Sequence, residues 1–252
     1  MDDARRFFRY VIPGLTFIIE LSLFFLLSNP EKFLHEIIKM FSNRDLGFGA
    51  PFVLFIASGA LGFLLGIIYH FLYWLPIIRR HMVDHSPMIK KMIDIGWLRI
   101  KFCDSCNVDK KEITQSGAWR ILTAFWHSRK NSSKIIKGAN DRIDSLGNTV
   151  HGLGTVFIGA VMSFPVWWLF NYKTINICLD TRWIVILFCV YVLIICIHLA
   201  NFHAIVRDFN SIIDIVMMEQ IRNEYEKNGN IPVTLYIDRM DLTDKYTSYN
   251  AQ

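Results

Sequence analysis

The chain has 252 residues and a formal net charge of +5; 53% of it is hydrophobic and 14% aromatic, with 20 Phe and 7 Trp. Its mean hydropathy is +0.32, and the apolar residues gather into four runs at 11–27, 51–78, 152–170 and 183–202. This composition excludes a soluble enzyme, a secreted disulfide scaffold and a disordered chain. Each run approaches the roughly 20 residues that cross about 30 Å of hydrocarbon at about 1.5 Å per helical residue. The prediction is an all-α membrane protein with four transmembrane helices arranged as two hairpins.

Five polar segments flank and separate these runs. Lys and Arg number three in 1–10, three in 28–50, fourteen in 79–148, two in 171–182 and five in 203–252. Positive loops are retained in the cytoplasm, so both termini and the middle segment are expected inside an inner membrane, with Arg5-Arg6 and Arg79-Arg80 beside span ends. The first run has no small-residue cleavage site and reads as a retained anchor. The chain then divides into a cytoplasmic N-terminus (1–10), a first hairpin (11–78), a basic cytoplasmic insert (79–148), a second hairpin (149–202) and a cytoplasmic helix with tail (203–252).

In the first span, Glu20 stands at the centre of Ile18-Ile19-Glu20-Leu21-Ser22, the costliest depth for an ionisable group. Two readings stand side by side: a pore-lining or proton-handling carboxyl, and a protonated carboxyl hydrogen-bonded to a neighbouring helix. Pro13-Gly14 permits a kink or an unwound turn just before it, which makes Pro13 a pore candidate beside Glu20. After Asn29-Pro30, Phe33, Leu34, Ile37, Ile38 and Phe41 recur at helical spacing opposite Glu31, Lys32, Glu36 and Lys39. This predicts an amphipathic helix at 31–42, lying on the outer membrane surface. Ser58, Gly62 and Gly66 are four apart in the second span, and Thr155, Gly159 and Ser163 repeat the spacing in the third. Such stripes let helix backbones touch, and if they meet between copies then assembly depends on Gly62 and Gly66. Pro165 is expected to kink the third span.

The insert carries fourteen basic and seven acidic residues. Lys90, Lys91, Arg99, Lys101, Lys110, Lys111 and Arg120 interleave with Trp97 and Trp119. Cations that meet phosphate and rings that stack on bases suit a nucleotide or oligonucleotide. The positive-inside rule, with attraction to anionic headgroups, explains the same composition without a ligand. His81-x3-His85 and Cys103-x2-Cys106 have the ligand types of a tetrahedral zinc site, in an order opposite to the usual finger. Two incidental thiols in a turn explain them as well, so neither a metal nor a cofactor is assigned. No catalytic signature is present: position 39 is Lys, so His35-Glu36 begins no H-E-x-x-H, and the glycines at 59, 62 and 66 lie inside a span. An enzyme is not expected.

From Arg182 to Asn228 there is neither Pro nor Gly, and Ile205, Val206, Phe209, Ile212, Ile213, Val216 and Met217 keep a helical period beyond 202. One helix of about 47 residues, about 70 Å long, is expected as a cytoplasmic extension of the fourth span. Its apolar stripe needs cover, from the insert or from the same helix of another copy. His198 and Asn201 on this helix are candidate pore residues, with His70 of the second span placed to meet His198. Segment 203–252 holds five basic and eight acidic residues, so it is expected to dock on the insert. Residues 231–237 read as a strand, and Leu98 to Phe102 are its best partner, which gives a small mixed cytoplasmic region.

In layout, though in no individual residue, the chain resembles the small multi-pass effectors of bacterial antiviral signalling systems, in which a cytoplasmic ligand-sensing part controls a membrane-permeabilising part. The resemblance implies a channel gated from the cytoplasm. Four helices with close-packed stripes are too few to enclose a pore in one copy, so a homo-oligomer is expected. Its partners are then the lipid bilayer, further copies of the chain, and an anionic nucleotide or oligonucleotide. The rivals are a non-conducting membrane scaffold or sensor that recruits a cytoplasmic partner, and a membrane-embedded enzyme acting on a lipid-linked substrate.

Overall fold

Helix α1 (Asp2–Ser28) is followed by α2 (Pro30–Ser42), α3 (Gly49–Tyr73), α4 (Ser86–Asp94), strand β1 (Leu98–Phe102), α5 (Gln115–Arg129), α6 (Lys134–Thr174), α7 (Thr181–Lys227) and strand β2 (Val233–Ile237). The structure is a computed structural model and describes residues 2–42, 49–73, 75, 84–102, 113–174 and 181–237. Four helical stretches, Arg9–Ser28, Pro51–Tyr73, Lys134–Phe170 and Arg182–Lys227, are long and apolar enough to cross a membrane. The chain forms two units, one of Met1–Trp74 with Asn148–Ile205 and one of Leu75–Gly147 with Val206–Gln252.

Several local expectations are met. The amphipathic segment is helical as α2, with Asn29 Oδ1 accepting the Lys32 N–H at 3.1 Å and Pro30 just inside the start, where its missing N–H costs nothing. Helix α7 is unbroken over 47 residues. Helix α6 begins at Lys134, well ahead of the apolar run at 152, because Ser133 caps it: its Oγ accepts the Ile136 N–H at 3.2 Å. Pro13 and Pro165 both lie inside helices that continue through them, so the backbone is not unwound before Glu20.

In the first unit, α1 and α3 approach so closely that a Cβ on Gly14 would overlap the Ser58 carbonyl, and one on Gly62 would overlap the Tyr10 carbonyl. Gly66 faces the Tyr10 ring, and Gly159 of α6 sits against Leu65 and Phe17. The small-residue stripe of α3 is therefore filled by α1 of the same chain. This corrects the expectation that Gly62 and Gly66 meet another copy: once one backbone occupies the groove, no second helix fits there. Ser58, Thr155 and Ser163 are buried, and their hydroxyls donate to the carbonyls of Phe55, His151 and Ala160, which satisfies them locally.

The contacts also fix direction. Arg9 reaches Asn148 at 3.1 Å, Phe24 packs on Phe164 at 5.5 Å, and Trp167 Nε1 donates to Ser28 Oγ at 3.4 Å, so α6 runs alongside α1 in the same sense. Tyr191 OH donates to the Val161 carbonyl at 2.9 Å and Phe202 stacks on Phe157 at 6.4 Å, so α7 runs the opposite way.

The second unit has a separate core. Met88, Ile89 and Met92 of α4, Ala118, Ile121, Leu122 and Phe125 of α5, Ile136 and Ile143 of α6, and Ile213, Met217 and Ile221 of α7 pack together with Leu98, Ile100 and Val233. The α7 stripe thus finds its cover in the insert of its own chain. Helices α4 and α7 end alike: the Gly96 and Trp97 N–H groups return to Ile93 and Met92, and those of Gly229 and Asn230 to Glu226 and Tyr225. Gly96 and Gly229 take φ of +78° and +69° there, the left-handed closure for which glycine is suited. Each helix so capped feeds a strand, and β1 and β2 pair in parallel from Leu98↔Val233 to Phe102↔Ile237, the pairing expected from the sequence. Leu98 and Ile100 point into the core and, by alternation, Arg99 and Lys101 lie on the opposite face.

Candidate functional site

Phe17, Glu20 and Phe24 recur at the 3–4 spacing that places them on one buried face of α1. Leu187, Tyr191, His198 and Phe202 form the corresponding inward line of α7. Where the two lines meet, Glu20 Oε1 and His198 Nε2 are 2.7 Å apart. Glu20 is 6% exposed, and its Oε2 has no hydrogen-bond partner among the described residues. Aromatic rings bracket the pair along the helices, with Phe164 and Tyr191 stacked at 4.9 Å on one side and Tyr69 and Phe202 at 5.9 Å on the other. Along α1, Glu20 lies about 16 Å from Arg9 and about 12 Å from Ser28, near the middle of the apolar stretch.

A carboxyl and an imidazole joined in this way can share or pass one proton. The second carboxyl oxygen is left to bind a proton, a water molecule or a cation, since an unpartnered buried acceptor is costly. Glu20 turns toward α7 of its own chain, as the reading of a carboxyl hydrogen-bonded to a neighbouring helix expects. His70, the partner expected for His198, instead lies 6.3 Å from the His151 ring. Asn201, three residues from His198, is exposed rather than turned toward Glu20. The Glu20–His198 pairing was hidden in the sequence because 178 residues separate the two. The available signal was that both are lone ionisable groups inside apolar runs.

In the second unit, His85 is fully buried. Its Nδ1 lies 2.7 Å from Asp214 Oδ1, its ring stacks on Trp119 at 5.6 Å, and its Nε2 has no partner among the described residues. Among those residues no group of three His, Cys, Asp or Glu side chains could hold a metal. His81, Cys103 and Cys106 of the zinc candidate lie outside the described residues, as do Lys110 and Lys111. Of the other ligand-binding candidates, Lys91 and Arg99 are exposed, while Lys90, Lys101 and Arg120 are half-buried. Trp97 carries Arg222 over its ring at 6.0 Å and Trp119 carries His85, so each has a face already engaged in packing.

Insert and tail dock through polar contacts that the sequence suggested only as opposite net charge. Arg129 Nε and Nη2 donate to Glu224 Oε1 and Oε2 at 2.7 and 3.1 Å, and the Ser133 hydroxyl donates to Gln220 Oε1. Gln220 Nε2 in turn donates to Glu224 Oε1 at 2.7 Å. The carboxylate holds the Arg129 pKa above its ordinary value, mainly through these hydrogen bonds. Because Arg129 is 37% exposed, screening keeps the pair's worth small. Arg129→Lys, which loses the two-pronged geometry, should destabilise the second unit by about 0.5 to 1 kcal/mol in a denaturant titration, and less at high salt. A variant indistinguishable from wild type at low salt would remove the pair from the account.

Comparison with known protein families, with curated proteins and with solved structures finds no match to this chain.

Proposed function

We propose that the protein is a homo-oligomeric membrane channel opened by an anionic nucleotide or oligonucleotide bound to its second unit, with Glu20 and His198 as the ionisable element of the conducting path. In this reading the four apolar helices cross an inner membrane as two hairpins. Both termini, the insert and the tail lie in the cytoplasm, and α2 rests on the outer membrane surface. The observation that carries the reading is the pair itself, a carboxyl at mid-depth with one oxygen on an imidazole and the other without a partner. Two apolar side chains would fill the same volume without the penalty of burying ionisable groups, so packing alone gives no reason for them. The basic composition of residues 79–148 and the likeness in layout to antiviral effectors support a ligand-controlled role.

A second reading, a non-conducting scaffold in which Glu20 and His198 join α1 to α7, draws on the burial of that carboxyl. Cation flux from vesicles separates the two. Glu20→Gln keeps shape and hydrogen bonding and removes the charge, so under the channel reading flux should fall by about tenfold, with insertion and assembly unchanged. Flux equal to wild type in the variant, or no flux from either protein with every candidate ligand present, rejects the channel and favours the scaffold.

A further inference from the structure

One polar side chain of the first unit turns away from its own chain. Asn201 is exposed on α7 and makes no hydrogen bond to any described residue. Its depth follows from its neighbour: Phe202 stacks on Phe157 at 6.4 Å, and Phe157 lies about 13 Å along α6 from Asn148, the partner of Arg9. Since Arg9 and Ser28 are about 28 Å apart along α1, Asn201 stands near the middle of the apolar stretch, almost level with Glu20. Several other polar groups in that stretch are satisfied internally: the hydroxyls of Thr16 and Tyr191, for example, donate to the carbonyls of Ile12 and Val161. Glu20 Oε2 and the Tyr69 hydroxyl, which have no partner among the described residues, are buried inside the chain. In hydrocarbon, where no water is available, an amide with two donors and an acceptor must find its partner on another molecule.

The surroundings indicate which molecule. Leu193 and Ile197 on the same side of α7 are 60% and 50% exposed, and Ala200 and Ala204, four apart, are exposed as well. Small residues at that spacing let a second backbone approach closely. An amide both donates and accepts, so the same side chain on an identical helix satisfies it completely, as a two-fold contact requires. The small-residue stripes of α3 and α6 are already occupied within the chain, the first by α1 and the second, at Gly159, by Leu65 and Phe17. We infer that the outer face of α7 around Asn201 is the docking site for a second copy of the chain, with the two Asn201 amides paired across the contact.

This rests on the membrane placement in the proposed function and not on conduction. The test uses the purified full chain in phosphatidylcholine vesicles. One arm counts subunits by single-molecule photobleaching; the other replaces the five cysteines with Ser, adds Ala204→Cys and measures disulfide dimers after oxidation. Asn201→Leu should shift the protein-to-lipid ratio at half-assembly upward by about tenfold. Asn201→Gln, which keeps the amide, should assemble like wild type. Single bleaching steps at every density, which would leave Asn201 to lipid headgroups, water or a different protein, overturn the inference. So does assembly that Asn201→Leu leaves unchanged. Ion flux read from the same vesicles keeps the two claims apart: dimers without flux reject conduction alone, and flux without dimers rejects this interface alone.

Discussion

Gly62→Ala is expected to destabilise the first unit by about 3 kcal/mol, a large effect for one added methyl group. The new Cβ would overlap the Tyr10 carbonyl, and a carbonyl inside a continuous helix cannot rotate aside as a flexible side chain can. Relief requires α1 and α3 to separate, which loses contacts along both helices. Gly59→Ala is the internal control. Its Cβ would meet only the Val11 Cγ2 at 3.7 Å, an ordinary contact, and alanine is the better helix former, so this variant should be neutral or slightly stabilising. Unfolding in mixed micelles, followed by circular dichroism against the mole fraction of denaturing detergent, measures both. Equal effects at 59 and 62 would show that the backbone approach at 62 is not what holds α1 to α3.

The second large effect belongs to the other unit. Phe125→Ala should cost about 3 to 5 kcal/mol through lost burial and the cavity left behind. Phe125 is 1% exposed at the centre of a core shared by α4, α5, α6, α7 and the two strands. Hydrogen exchange on the full chain should therefore report lost protection across α4, α5 and the β1–β2 pair together, with the helices of the first unit unaffected. Protection that survives would mean the unit does not depend on this core.

Both effects were only partly legible in the sequence. The apolar runs, the amphipathic α2, the uninterrupted α7 and the pairing of Leu98–Phe102 with residues 233–237 could be read because each leaves a local mark: a length, a period, an absent breaker, or a β-rich run between turn residues. The neighbour of a stripe leaves no such mark. Gly62 on α3 reads the same whether Tyr10 of its own chain or another copy lies against it. Likewise the stripe Ile213, Met217, Ile221 could have met a second α7 rather than the insert. The apolar run at 152–170 marks only the part of α6 that lies in apolar surroundings, whereas the cap at Ser133 and packing of Ile136 and Ile143 set the start of the helix.

At the candidate site the same limit applied. Glu20 and His198 each stand out as ionisable groups in apolar surroundings, yet nothing local to His198 favours Glu20 over His70 as its partner. Which groups share a depth is decided by the directions of α1 and α7, and that comes only from packing. Asp214 lies inside Ile212-Ile213-Asp214-Ile215-Val216, where a single acid in an apolar run has no visible partner until His85 is placed beside it.

The proposed function stands or falls on conduction. Recording current across planar bilayers that hold the purified wild-type chain, with insertion verified in the same preparation, addresses it directly. Nucleotides and short oligonucleotides are added on the side facing the second unit. The account predicts discrete, cation-selective current steps on addition of one of these anions, absent or strongly reduced in Glu20→Gln. Silent membranes from verified, inserted protein across that set of anions, or steps that Glu20→Gln leaves unaltered, would contradict it.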